Sequence, residues 1–204
     1  MFEINALNTT IYACVFLGTF YVTACIMHGS IIKPHYIKLF YYITIFSLIG
    51  ITGELFVNTS YAYFFHTPLW EYRLFPTHNA SISYFFPFVW GSLGVYKYVT
   101  DYLFASKRVP GKIYAGFVTG AEAIYLELLY NGLYFSTFGN YIFYYFPENL
   151  GPLSHFSCLQ VIPFYFIVGF LAHALIRREP AAYTKKIALF CFCWVIIITF
   201  IFFT

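Results

Sequence analysis

Long apolar stretches alternate with short polar segments from one end of the chain to the other. Six stretches, about 9–30, 38–58, 83–105, 113–136, 156–176 and 187–203, are each long enough for a helix crossing a bilayer, which takes about 20 apolar residues. Neither a two-residue alternation nor a soluble-type amphipathic stripe runs through them. The pattern predicts an all-α protein, a polytopic transmembrane helical bundle of about six spans. It forms a single transmembrane domain over residues 1–204, because almost no chain is left for a soluble domain. Pro87 and Pro163 fall inside the third and fifth stretches, where a missing N–H and a ring clash should kink a helix.

The polar segments are of two kinds. Ten of the eleven Lys and Arg residues lie in three clusters: Lys33/Lys38, Lys97/Lys107/Arg108/Lys112 and Arg177/Arg178/Lys185/Lys186. Lys and Arg collect in loops that are not translocated, so these three turns should share one side of the membrane. Both termini and the loops 59–82 and 137–155 then lie on the other side. Those two outer loops are rich in rings. The first runs from Tyr61 through His66, Trp70, Glu71 and Tyr72 to His78, and the second from Phe138 to Pro152. Trp and Tyr favour the headgroup level, so each loop is expected to lie on the membrane surface, and the two together can form an aromatic lid. The alternative is a plain aromatic belt anchoring helix ends. Asn8, Asn58 and Asn79 begin Asn-x-Ser/Thr sequons on that same side.

Composition sharpens the class. The chain is 61% apolar and only 9% charged, with a mean hydropathy of +0.72, and so cannot coat a water-exposed globule. The net charge of +3 is spread over three turns, which is a topology pattern and not a phosphate-binding stripe, so no nucleic-acid partner is expected. Residues Met1–Asn8 carry Glu3 and no basic side chain, so the first stretch reads as a retained membrane helix. Which membrane hosts the chain is not encoded in these features. Five cysteines without a CxxC pair read as packing residues. The six histidines lack HxxxH or HExxH spacing; His28 and His173 near one membrane face are the only candidate axial pair, and no metal or other cofactor is expected.

Chemistry therefore rests on polar groups at membrane depth, where ionisable side chains are costly and usually functional. Glu54 is 16 residues beyond Lys38 and Glu127 is 15 beyond Lys112, which places both roughly 22–24 Å from the basic side at about 1.5 Å per residue. Glu122 is nearer the middle. Asn131 shares a helical face with Glu127, and Tyr130 is close by. Glu54, Glu127, Asn131 and Tyr130 are placed to converge in one pocket beneath the aromatic loops. The structural alternative is a pair of neutral glutamates, each hydrogen-bonded to a neighbouring helix. Lys97 and Asp101, four apart, should form an ion pair. Gly116-x-x-x-Gly120 should let a helix approach closely, either within the chain or from another subunit.

Four short segments resemble the emopamil-binding-protein family, sterol isomerases that carry the EXPERA membrane domain. They are Gly53-Glu54-Leu55-Phe56-Val57, Leu69-Trp70-Glu71-Tyr72, Val89-Trp90-Gly91-Ser92-Leu93 and Ile124-Tyr125-Leu126-Glu127-Leu128-Leu129-Tyr130. The resemblance spans about residues 38–176, with the first and last helices as additions. It implies a sterol-like or other lipid ligand in an intramembrane cavity and carries over Glu54, Trp90 and Glu127; Asn131, Tyr130, Trp70 and Glu71 join them as the expected ligand-binding set. The chain departs at Gly50, where the family's isomerases carry a histidine, and at Ser83, where they carry a second acid. Isomerase chemistry needs both a proton donor and a base, whereas binding alone asks less. The first expectation is thus an integral, multi-pass protein that binds a lipid, with isomerisation as an extra. The second is a non-catalytic accessory subunit of a larger membrane complex, for instance an energy-transducing one. A transporter ranks below both, for lack of an inverted repeat or paired broken helices.

Overall fold

A computed structural model describes residues 5–74, 77–78, 80–83, 85–103, 111–178 and 181–203. Among them are six helices: α1 (Ala6–His28), α2 (Tyr36–Phe65), α3 (Phe86–Leu103), α4 (Lys112–Phe138), α5 (Ile162–Arg178) and α6 (Ala181–Phe203). Three apolar segments, Leu7–His28, Tyr36–Phe65 and Leu159–Ile176, are long enough and apolar enough to cross a membrane. Their outward faces fit that solvent. Leu7, Ile11, Val22 and Ile26 on α1, Phe56 and Phe64 on α2, and Ile167 and Leu171 on α5 are all exposed.

Local signals set the helix ends. The Asn5 side chain caps α1 by accepting from Asn8 N at 2.8 Å, which satisfies one of the free N–H groups of the first turn. Helices α2 and α4 both stop on a left-handed residue, His66 at φ 57° and Gly139 at φ 70°. The expected kinks at Pro87 and Pro163 are not found. Each proline is the second residue of its helix, where the missing N–H has no intrahelical partner to lose. The third and fifth apolar stretches therefore begin as loop, and their helices start later than the hydropathy suggests.

Helices α2 and α3 pack together, as do α4 and α5; α6 lies along α2, and α1 lies against α3. In the α4–α5 contact, a Cβ on Gly116 would meet the Phe166 ring at 2.7 Å, and one on Gly120 would lie 3.5 Å from the Ile162 carbonyl. The small-residue stripe is thus used inside the chain. On α6, Ala188, Cys191 and Val195 are buried while Leu189, Phe190 and Trp194 are exposed, so an all-round apolar helix still presents one face to α2.

The two aromatic loops meet. Strand β1 (Trp70–Tyr72) pairs antiparallel with the last of the four short strands, β4 (Phe143–Tyr145); between them, β2 (Thr77–His78) pairs with β3 (Ile82–Ser83). The register sets Trp70 opposite Tyr145, Glu71 opposite Tyr144 and Tyr72 opposite Phe143. A lid therefore spans the ends of α2 and α4, built by main-chain pairing as well as by rings. Asn58 cannot be a glycosylation site in this fold, since it is 1% exposed. Asn79 and most of the 106–112 turn lie outside the described residues.

Lys97 does not pair with Asp101. Its ammonium reaches across to Glu122 on α4, while Asp101 accepts from the Tyr42 hydroxyl at 2.7 Å. The helix–helix approach of α3 and α4 brings a carboxylate from another element within reach, which i,i+4 spacing cannot reveal.

Candidate functional site

Two buried carboxylates sit beneath the lid, Glu54 on α2 at 5% exposure and Glu127 on α4 at 8%. Each is served by one phenol from the lid and one aromatic donor from the next helix. Glu54 Oε1 accepts from Tyr72 Oη at 2.6 Å and from Trp90 Nε1 at 2.9 Å. Glu127 Oε1 accepts from Tyr145 Oη at 2.7 Å and from Tyr165 Oη, and its Oε2 accepts from Ser157 Oγ at 2.6 Å. Burial first, and then the adjacent glutamate, pushes the Tyr72 and Tyr145 phenols well above the usual tyrosine range, so both stay protonated as donors.

One turn further along each helix an asparagine holds the lid. Asn58 Oδ1 accepts from Leu69 N at 2.8 Å, and its Nδ2 donates to the Trp70 carbonyl at 3.0 Å. Asn131 does the same four residues after Glu127: Oδ1 accepts from Ile142 N at 2.9 Å and Nδ2 donates to the Phe143 carbonyl at 2.7 Å. A single offset of 73 residues relates Glu54 to Glu127, Asn58 to Asn131, Trp70 to Phe143, Tyr72 to Tyr145 and the left-handed helix ends His66 to Gly139. The β1–β4 register pairs each lid residue with the equivalent of its mirror position, centred on Glu71 and Tyr144. The two halves are therefore related by a local twofold axis through that pair. The motif is legible as Ile-x-x-Glu-Leu-x-x-Asn-x-x-Tyr in 51–61 and again in 124–134, a parallel repeat that a search for inverted symmetry passes over.

Between the carboxylates lies a small cavity of about 10 Å³, about the room of one water, bordered by Glu54, Trp70, Tyr72, Trp90, Glu127, Phe143 and Tyr165. It adjoins a larger, partly open groove of about 60 Å³. This groove runs between α1, α3 and α4 past Phe16, Phe20, Ser92, Leu93, Tyr96 and Tyr130. Val89, Trp90, Glu127, Phe143 and Tyr165 border both spaces, so the groove reaches Glu127 and these side chains form the wall it shares with the inner cavity.

Glu54, Glu127, Trp70, Trp90 and Tyr130 of the expected set border these spaces. Asn131 does not; its side chain is spent on the main chain of the lid. Glu71 does not either. It pairs with Arg73 on the strand face opposite Trp70 and Tyr72 because successive strand residues alternate sides. Tyr72, Tyr145, Ser157 and Tyr165 complete the site, and their roles follow only from strand pairing and helix packing. Among the described residues no three His, Cys, Asp or Glu side chains come together as a metal site, and the His28 ring bonds Ser30. Gly50 is fixed by the site itself: a Cβ there would overlap the Trp90 indole. No protein-family model, curated protein or solved structure matches the chain.

Proposed function

We propose that this is a six-span membrane protein that holds an elongated apolar molecule, sterol-like or another lipid, with one end at the paired carboxylates. The basic turns face one compartment and the lid the other. Helices α3, α4 and α6 complete the set of spans; α3 and α4 are less apolar because they carry the Lys97–Glu122 pair and wall the groove. The observation that carries this reading is an apolar groove that reaches Glu127 and shares a wall with the small cavity between the two acids.

Binding is favoured over isomerisation. The two positions at which sterol isomerases of the resembling family carry further titratable groups are neutral here. At Gly50 the space is filled by Trp90, and Ser83 Oγ donates to the Leu74 carbonyl at 2.7 Å. The test is photolabelling of the protein in nanodiscs with a diazirine-bearing sterol and a diazirine-bearing long-chain lipid. Labels should map to α1, α3 and α4 along the groove, and Ser92→Trp, which fills it, should abolish them. Labels confined to the outer faces of α1 and α6, unchanged by Ser92→Trp, would remove the binding role.

A further inference from the structure

The repeat makes the two carboxylates comparable, and they are not equally satisfied. Both oxygens of Glu127 are engaged, Oε1 by two phenols and Oε2 by Ser157. On Glu54 both donors converge on Oε1, and Oε2 is fully buried with no partner among the described residues. Among the described residues, the half that contains Glu54 has no counterpart of Ser157 at its carboxylate. A buried, unpaired carboxylate oxygen is costly in apolar surroundings, and native structures seldom leave one without a purpose. Glu54 borders the small inner cavity, whose room is about that of one water or one hydroxyl and which shares a wall with the groove. The other unpaired buried side-chain oxygen among the described residues, Tyr130 Oη, belongs to a residue on the groove wall. The two orphaned atoms thus belong to residues lining the two adjoining spaces, Glu54 the inner cavity and Tyr130 the groove.

We propose that Glu54, and not Glu127, receives the polar end of the bound molecule, and that this end is a hydroxyl. This rests on the lipid-binding reading above and narrows it to an alcohol with an apolar body. A hydroxyl fits because it donates to a carboxylate and accepts from a carboxyl, so it satisfies Oε2 in either state of Glu54. An ammonium group would need Glu54 charged and would carry a full positive charge through apolar surroundings. Glu127, closed off by Ser157, Tyr145 and Tyr165, serves as the anchor of the lid.

The experiment uses three diazirine probes of one chain length in nanodiscs, ending in a hydroxyl, a methyl or an ammonium group. The readout is the ratio of groove labelling between probes within each variant, which does not depend on expression level. The wild type should favour the hydroxyl over the methyl probe by about tenfold, the worth of one buried hydrogen bond. Glu54→Met should bring that ratio to about one, and Glu127→Gln should leave it near the wild-type value. If Glu54→Met does not fold, Glu54→Asp, which withdraws the oxygen by one carbon, should show the same fall. A wild-type ratio near one, a ratio kept in the Glu54 variants, a ratio lost in Glu127→Gln, or preference for the ammonium probe overturns the assignment. Absence of groove labelling by all three probes overturns instead the binding reading beneath it.

Discussion

At the scale of single residues, the site is governed by where buried polar atoms find partners. Asn58 and Asn131 each satisfy main-chain groups of buried lid residues. Asn58→Ala and Asn131→Ala should each lower stability by about 2–4 kcal/mol by orphaning those groups. Thermal unfolding in detergent checks this, and a loss confined to one of the two would break the equivalence of the halves. Gly50→Ala should displace the Trp90 indole and break its bond to Glu54, seen as a red shift of tryptophan emission together with a lower melting temperature; an unshifted spectrum would show that the pocket tolerates the methyl group. Much of this scale was legible beforehand. Glu54 and Glu127 stand out as acids inside long apolar stretches, where charged residues are few. Their donors did not, since Tyr72 and Tyr165 are two of 21 tyrosines and only tertiary contacts single them out. Glu71 and Asn131 looked like ligand groups by proximity in sequence. Strand alternation turns the first outward, and the main chain of the lid consumes the second.

At the scale of elements, the lid is the feature that hydropathy does not encode. Apolar length locates helices well, as α1 and α2 attest, but it starts ahead of α3 and α5, because a helix with proline at its second position and the segment before it are equally apolar. Strands β1 and β4 are three residues each and lack a two-residue pattern long enough to read. Their pairing is testable directly. Cysteines placed together at 71 and 144 should form a disulfide under mild oxidation, and either alone should not; no cross-link would separate the two loops. The lid also has a predicted pH limit. The phenols of Tyr72 and Tyr145 are raised in the fold, so the stability they contribute is fully present below the ordinary tyrosine value of about 10 and is lost as pH climbs through the higher folded value. In an alkaline titration followed by tyrosinate absorbance, these two should ionise only as the fold opens. Ionisation alongside exposed tyrosines in a still-folded protein would contradict their burial.

At the scale of the whole molecule, two similar halves, α2–β1–α3 and α4–β4–α5, face each other across a local twofold axis, flanked by α6 along α2 and by α1 along α3. The apolar faces left on α1 and α6 are what a bilayer would cover. The flanking helix α1 is also what turns the gap between the halves into a groove, through Phe16 and Phe20 on its wall. Composition made a mostly helical chain legible, three of whose helices are long and apolar enough to cross a membrane. The repeat was also present in the sequence, at a spacing that becomes evident once the equivalent hydrogen bonds are known. The account stands on that groove being occupied by one kind of apolar molecule. Native mass spectrometry of the protein released from membranes measures this most directly. The wild type should retain an adduct of a single defined mass, and Ser92→Trp, equally folded, should appear without it. Bare wild-type protein, or an adduct that persists in Ser92→Trp, would contradict the account.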